Sequence, residues 1–195
     1  MTAALLDRPI VDTAGCRFPD WCQGSCVSTD IGGERNHWSA SSRFWACDVD
    51  ERIAVELYGY ENDRDGIDPV RVYLAAGDQQ LDEDGVAIPA GQASELGVAL
   101  QQFTPPGRWP EDDLIHTALD DDGDWAVTAE YRKQRERRDG SLLDEHVELS
   151  IRPDNTRKHA IRVRLSLKQA RALGHCLVEE ADRADASNRT YGLAP

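Results

Sequence analysis

The chain has 195 residues, a formal net charge of −14, and 30% charged against 40% hydrophobic residues. That suits one large domain or two small ones around a modest core, and it argues against indiscriminate attraction to nucleic acid or anionic lipid. No stretch is apolar for long enough to span a bilayer. The opening MTAALLDRPIVD is interrupted by Asp7, Arg8 and Pro9 before an apolar run develops, so it does not read as a signal peptide. A cytoplasmic location is expected, with the five cysteines reduced and suited to metal ligation or burial rather than disulfides. In that setting the sequon Asn188-Arg189-Thr190 has no consequence.

Residues 1–15 read as an N-terminal tail. The segment GCRFPDWCQGSC (15–26) follows, and with His37 it gives the spacing C-x5-C-x3-C-x10-H. Tetrahedral zinc takes four thiolate or imidazole ligands, which short loops can supply. Cys16, Cys22, Cys26 and His37 are therefore a candidate zinc site. The competing reading is a cluster of reduced thiols among Phe18, Trp21, Trp38, Phe44 and Trp45. Those aromatics serve either reading, since a structural metal site also needs a packed surround. Cys47 is a substitute ligand or, more simply, a buried thiol ahead of the first strand.

Three alternating segments then lead into a helix. Ile53, Val55 and Leu57 mark the first and Val70, Val72 and Leu74 the second, and VAIP (86–89) precedes the helix. Loops rich in Asp and Gly separate them. The helix carries Ala93, Leu96, Leu100 and Phe103 as a single stripe, with Pro89 just before it, where a proline is tolerated. The segment TPPGRWPEDD (104–113) reads as a linker. DDDGD (120–124) fails as an EF-hand, because the first and twelfth positions would be Ala118 and Ala129. It reads instead as a polar turn before a strand. A second set follows: Val127, Ala129 and Tyr131, then Val147, Leu149 and Ile151, then VRL (163–165). Its helix has Ala170, Leu173, Leu177 and Ala181 on one face, Cys176 beside them in the core, and a Ser166/Gln169 capping box at its start. Residues 183–195 read as a C-terminal tail.

The two sets repeat one pattern. VAIPAGQASELGVAL (86–100) aligns with VRLSLKQARALGHCL (163–177) at an offset of 77, placing Gln92, Ala93, Leu96, Gly97 and Leu100 on Gln169, Ala170, Leu173, Gly174 and Leu177. The same offset carries Val70, Val72 and Leu74 onto Val147, Leu149 and Ile151. Three residues of slippage align Ile53, Val55 and Leu57 with Val127, Ala129 and Tyr131. Matches through three elements point to a duplication.

The first half also resembles an actinobacterial domain family of unknown function. That family has a signature near Cys-Pro-x-Trp-Cys-x3-His, a later His-x-Ser, strands, and a closing helix of the type Leu-Thr-x-x-x-Ala-x-x-Leu. Here Pro19, Trp21 and Cys22 match in order, His37 and Ser39 match the later motif, and IPAGQASEL matches the helix. Cys26 stands where the family has its first histidine. Cys16 lies two residues further from Cys22 than the pattern wants. In the second half only Trp109 and His116 stand near the matching place. The resemblance covers about residues 16–103 and strengthens the zinc reading; it implies no activity. The expected fold is α+β: two related β-β-β-α units, 16–103 and 114–182, packed as a pseudo-two-fold tandem with an N-terminal zinc-stabilised loop.

Residues 125–175 carry 12 Lys+Arg against 7 Asp+Glu, leaving 10 against 29 elsewhere. Arg162 and Arg164 share the wet face of a strand, and Arg135, Arg137 and Arg138 sit on a hairpin arm. These five are candidates for binding a partner or nucleic acid, although a solvated face balanced within the protein is the favoured account of them. No phosphate-cradling glycine motif or nucleophile elbow is present. The expected role is a non-enzymatic, zinc-binding accessory or regulatory protein that contacts another protein. Nucleic-acid binding through the arginine-rich face is the alternative. A zinc hydrolase, with water in place of Cys16, is the third reading.

Overall fold

Runs of alternating apolar and polar residues form strands here because one face of each is buried and the other wet. A computed structural model describes residues 16, 18, 20–22, 27–28, 34–45, 51–62, 66–78, 84–103, 115–136, 140, 142–152 and 160–193. The first sheet contains β1 (Val27–Ser28), β2 (Arg35–Trp38), β3 (Ser42–Trp45), β4 (Glu51–Asn62), β5 (Gly66–Ile67), β6 (Arg71–Asp78) and β7 (Asp84–Ile88). Its order is β1-β2-β4-β6-β7, with β3 and β5 also paired to β4. Helix α1 (Ala90–Gln102) follows. The second sheet has β8 (Ile115–Leu119), β9 (Trp125–Arg132), β12 (His146–Ile151) and β13 (Ile161–Leu165), in the order β13-β12-β9-β8. A small hairpin, β10 (Arg135–Glu136) with β11 (Leu142–Leu143), projects from it, and α2 (Leu167–Tyr191) closes the chain. All the pairings are antiparallel, so the fold is mixed α and β with two sheets and two helices. Among the described residues, no helix is long and apolar enough to cross a membrane.

The registers of the two sheets correspond row by row. Leu57, Val72 and Ile88 lie side by side in the first sheet, as Tyr131, Val147 and Leu165 do in the second. Val55, Leu74 and Val86 likewise match Ala129, Leu149 and Val163. The offsets are thus 74 for the first strand, 75 for the middle strand and 77 for the last. The sequence alignment had placed the middle strand at 77. A shift of two residues keeps every side chain on its face, so hydrophobic pattern alone does not detect it. The strand count also differs from expectation. The first sheet has β1, β2, β3 and β5 beyond the three expected strands and the second has β8, with β3 on β4 and β8 on β9 in equivalent places. His116 on β8 corresponds to Ser42 on β3, so it is not a relic of His37.

The helices touch both sheets, which also meet directly where β6 contacts β12 and β13. α1 rests on β6 and β8; α2 rests on β3, β4 and β6 of the first sheet and on β12 and β13 of its own. They cross at Gly97 and Gly174. A Cβ on Gly97 would stand 2.7 Å from the carbonyl oxygen of Gly174, and one on Gly174 would stand 2.6 Å from that of Gly97. Only glycine permits this approach, and it lets Ala93, Leu96, Leu100, Ala170, Leu173 and Leu177 bury completely.

α2 begins as its sequence indicates. The Ser166 hydroxyl accepts the Gln169 N–H at 3.3 Å, and the Gln169 side chain accepts the Ser166 N–H at 2.8 Å, a complete capping box. It ends much later than expected. Residues 183–191, read from sequence as tail, continue the helix, with Ala184, Ser187 and Asn188 buried against the first sheet. The Asn188 amide mimics a neighbouring strand. It accepts the Val70 N–H at 2.7 Å and donates to the Val70 carbonyl at 3.1 Å, which satisfies a buried backbone pair that α2 covers.

Gly97→Ala and Gly174→Ala are each expected to lower stability by about 1–3 kcal/mol, despite the gain in helix propensity. The double variant should lose less than the sum, because one separation of the helices relieves both clashes. Urea unfolding midpoints of the three variants check this.

Candidate metal centre

The cysteine loop is folded by one backbone turn. The Phe18 carbonyl accepts the N–H of Cys22 at 2.9 Å and that of Trp21 at 3.4 Å, returning Cys22 over Phe18. Beneath it, β2 presents His37 inward, fully buried, beside Gly59 of β4. A Cβ on Gly59 would stand 3.2 Å from Trp21 Cη2 and 3.3 Å from Phe18 Cε2, so the bare backbone there makes room for the loop's aromatic rings. Ser39, two residues after His37, holds the break between β2 and β3. Its hydroxyl accepts the Leu57 N–H at 2.8 Å and donates to the Ala40 carbonyl at 3.1 Å.

This brings Cys16, Cys22 and His37 together, with one ligand atom from each, all within 4.8 Å of one another. Cys16 Sγ lies 3.5 Å from His37 Nδ1. Sulfur and nitrogen bound to one tetrahedral zinc, at about 2.3 and 2.0–2.1 Å, stand roughly 3.5 Å apart. On the other side of the ring, His37 Nε2 is 3.6 Å from Glu61 Oε1, and Glu61 is 3.7 Å from Arg35. Glu61 stands behind the ring in ion-pair range, the side from which a carboxylate orients a ligating imidazole. The group is thus compatible with a metal ion held through Nδ1. Phe18 packs edge-on against His37, with centroids 4.9 Å apart, and against Tyr191 at 5.0 Å. Trp21 Nε1 donates to Ser187 Oγ at 3.0 Å. Burial pushes the Tyr191 hydroxyl pKa up, with smaller contributions from the charges of Asp20 and Cys16.

Of the four ligands expected from sequence, three converge; Cys26 lies outside the described residues, as does Cys47. Cys16, the doubtful one by spacing, is in the group. Cys176 is half-buried on α2, away from it, and burial raises its thiol. One turn further along α2, the buried Glu180 accepts from Arg183 through both oxygens at 2.7 Å, yet burial still holds its carboxyl above the ordinary 4.5.

Of the five candidate arginines, only Arg162 and Arg164 have described side chains. Arg137 and Arg138 lie outside the described residues, and Arg135 pairs with Leu143 in the small hairpin. Arg162 and Arg164 do share the outer face of β13. There Arg164 faces Glu148, and Glu148 faces Glu130, which lies 2.6 Å from Arg132. That face carries both signs. DDDGD is a polar turn that also pairs with arginines outside it, Asp121 with Arg71 of β6. Asp120 accepts the N–H groups of Asp122 and Asp124 at 3.1 and 2.9 Å and pairs with Arg152 at 2.9 Å. Gly59, Glu61, Ser187 and Tyr191 belong to the centre but were not read from sequence, because only the β2–β4 pairing and the long α2 bring them there. No protein-family model matches the chain, and no curated protein matches it.

Glu61→Ala should weaken zinc binding by about 10–100-fold, measured by competition with a chromophoric chelator. For Glu180, the raised folded pKa means that its contribution is most favourable below 4.5 and declines as pH rises through the raised value. The difference in unfolding free energy between wild type and Glu180→Gln should therefore shift across that window and be flat below it.

Proposed function

We propose that the chain is a tandem of two related sheet-and-helix units whose first unit holds a structural zinc ion. Its role is that of a non-enzymatic accessory or regulatory protein acting through contacts with another protein. The observation that carries the metal reading is the Cys16–Cys22–His37 group beside Phe18 and Trp21, with Cys22 and His37 buried and Cys16 partly so. Cys26 is the proposed fourth ligand. Four protein ligands leave no position for a reacting water, which favours a structural over a catalytic ion. His37 at 0% and Cys22 at 8% exposure fit that closed shell.

Two features support the tandem. One is the row-by-row correspondence of the sheets; the other is the crossing of the helices at residues that are equivalent in the repeat. The family resemblance carried by Pro19, Trp21, Cys22, His37 and Ser39 belongs to the same proposal. Support for the partner role comes from the acidic composition and from exposed apolar side chains, notably Ile115, Leu142 and Val98. The mixed charge around Arg164 speaks against a phosphate-tracking face.

Protein purified without added zinc should contain one zinc per chain. Cys22→Ser should lose the metal and several degrees of thermal stability, whereas Cys176→Ser should keep both. Substoichiometric metal with rapidly reacting Cys16, Cys22 and Cys26 contradicts the centre. Affinity capture from the native host should recover one partner reproducibly, and failure to do so counts against the accessory role.

A further inference from the structure

We propose that the cysteine loop is a redox-operated clasp on the C-terminal end of α2, opened when peroxide joins Cys16 to Cys22. The proposal rests on the zinc reading only for the accompanying release of metal. Three observations carry it. The two sulfurs lie within 4.8 Å of each other and neither is in a disulfide. Their exposure is unequal: Cys16 is half-buried and reachable, whereas Cys22 is buried behind it. Finally, the residues between them grip α2. Phe18 packs edge-on against Tyr191 at 5.0 Å, and Trp21 donates to Ser187 at 3.0 Å. The turn of α2 so held is the one whose Asn188 is paired to Val70.

The chemistry is a two-electron oxidation. The Cys16 thiolate attacks hydrogen peroxide, forming a sulfenic acid and releasing hydroxide. The Cys22 thiolate then attacks that sulfur, the S–S bond forms, and a second hydroxide leaves. Two thiolates are oxidised and one peroxide is reduced. A zinc ion held there would lose Cys16 and Cys22 as ligands in the same event and be released. The sulfurs must close to about 2.05 Å, which draws in the short loop that contains Phe18 and Trp21. Both aromatic rings then withdraw from α2.

The test uses full-length, zinc-loaded protein titrated with hydrogen peroxide. Zinc release to a chelator, peptide mass mapping and amide hydrogen exchange are followed together. The expected product is a Cys16–Cys22 peptide lighter by two hydrogens, with one zinc released per disulfide. Exchange at 187–191 should rise by about tenfold, as loss of one ring contact and one hydrogen bond gives. Dithiothreitol with zinc should reverse all three changes. Cys16→Ser should abolish the link. Tyr191→Leu should keep the link and the zinc release but show high exchange before oxidation. Over-oxidation of Cys16 without a link, a link to Cys26, or unchanged exchange at 187–191 overturns the clasp and leaves the zinc site intact. If the purified protein carries no zinc and takes none up, the zinc reading fails separately, while the disulfide and the exchange are still scored on the same sample.

Discussion

The close approach of two helix backbones at Gly97 and Gly174 sets the geometry of the whole molecule. Each sheet has one apolar face to bury. With glycine on each side the helix backbones pack directly together, and at this spacing α1 reaches β6 and β8, α2 reaches both sheets, and β6 also touches β12 and β13. The fully buried rows, Leu57–Val72–Ile88 and Tyr131–Val147–Leu165, follow from that spacing.

The cysteine loop depends on the same arrangement at one remove. Because α2 passes across the first sheet and continues to Tyr191, it supplies Ser187 and Tyr191 as a wall for Trp21 and Phe18. Phe18 in turn backs His37. The candidate ligands are therefore held by the loop's own turn, by β2 and, through the aromatics, by a helix from the far end of the chain. The second sheet has no counterpart to this loop among the described residues. A metal held by the Cys16–Cys22–His37 group would thus add to a fold whose second sheet is built without such a group among the described residues.

Much of the core was legible because period-two and helical stripes report burial directly. The strands around Val55, Val72 and Val147 and the stripes of both helices were read correctly, and so was the Ser166 cap. Two residues of register on the middle strand were not, since both registers bury the same face. The distal half of α2 escaped notice for a different reason. Its buried surface is made of Ala184, Ser187 and Asn188, which are small or polar, and so carries no hydrophobic stripe. The grouping of Cys16, Cys22 and His37 was visible as chemistry, but spacing cast doubt on Cys16. Sequence distance says little about where a loop returns, and here the Phe18 carbonyl decides it. Glu61 gave no signal at all, since its place behind His37 exists only once β2 pairs with β4.

The side-chain amide of Asn188, bonded to both backbone groups of Val70, has a wider consequence. It ties the last turn of the last helix to the entry of β6, more than a hundred residues earlier. During synthesis the Val70 backbone pair therefore stays without this cover until Asn188 has emerged, so the first sheet and α2 complete one another only across 118 residues of chain.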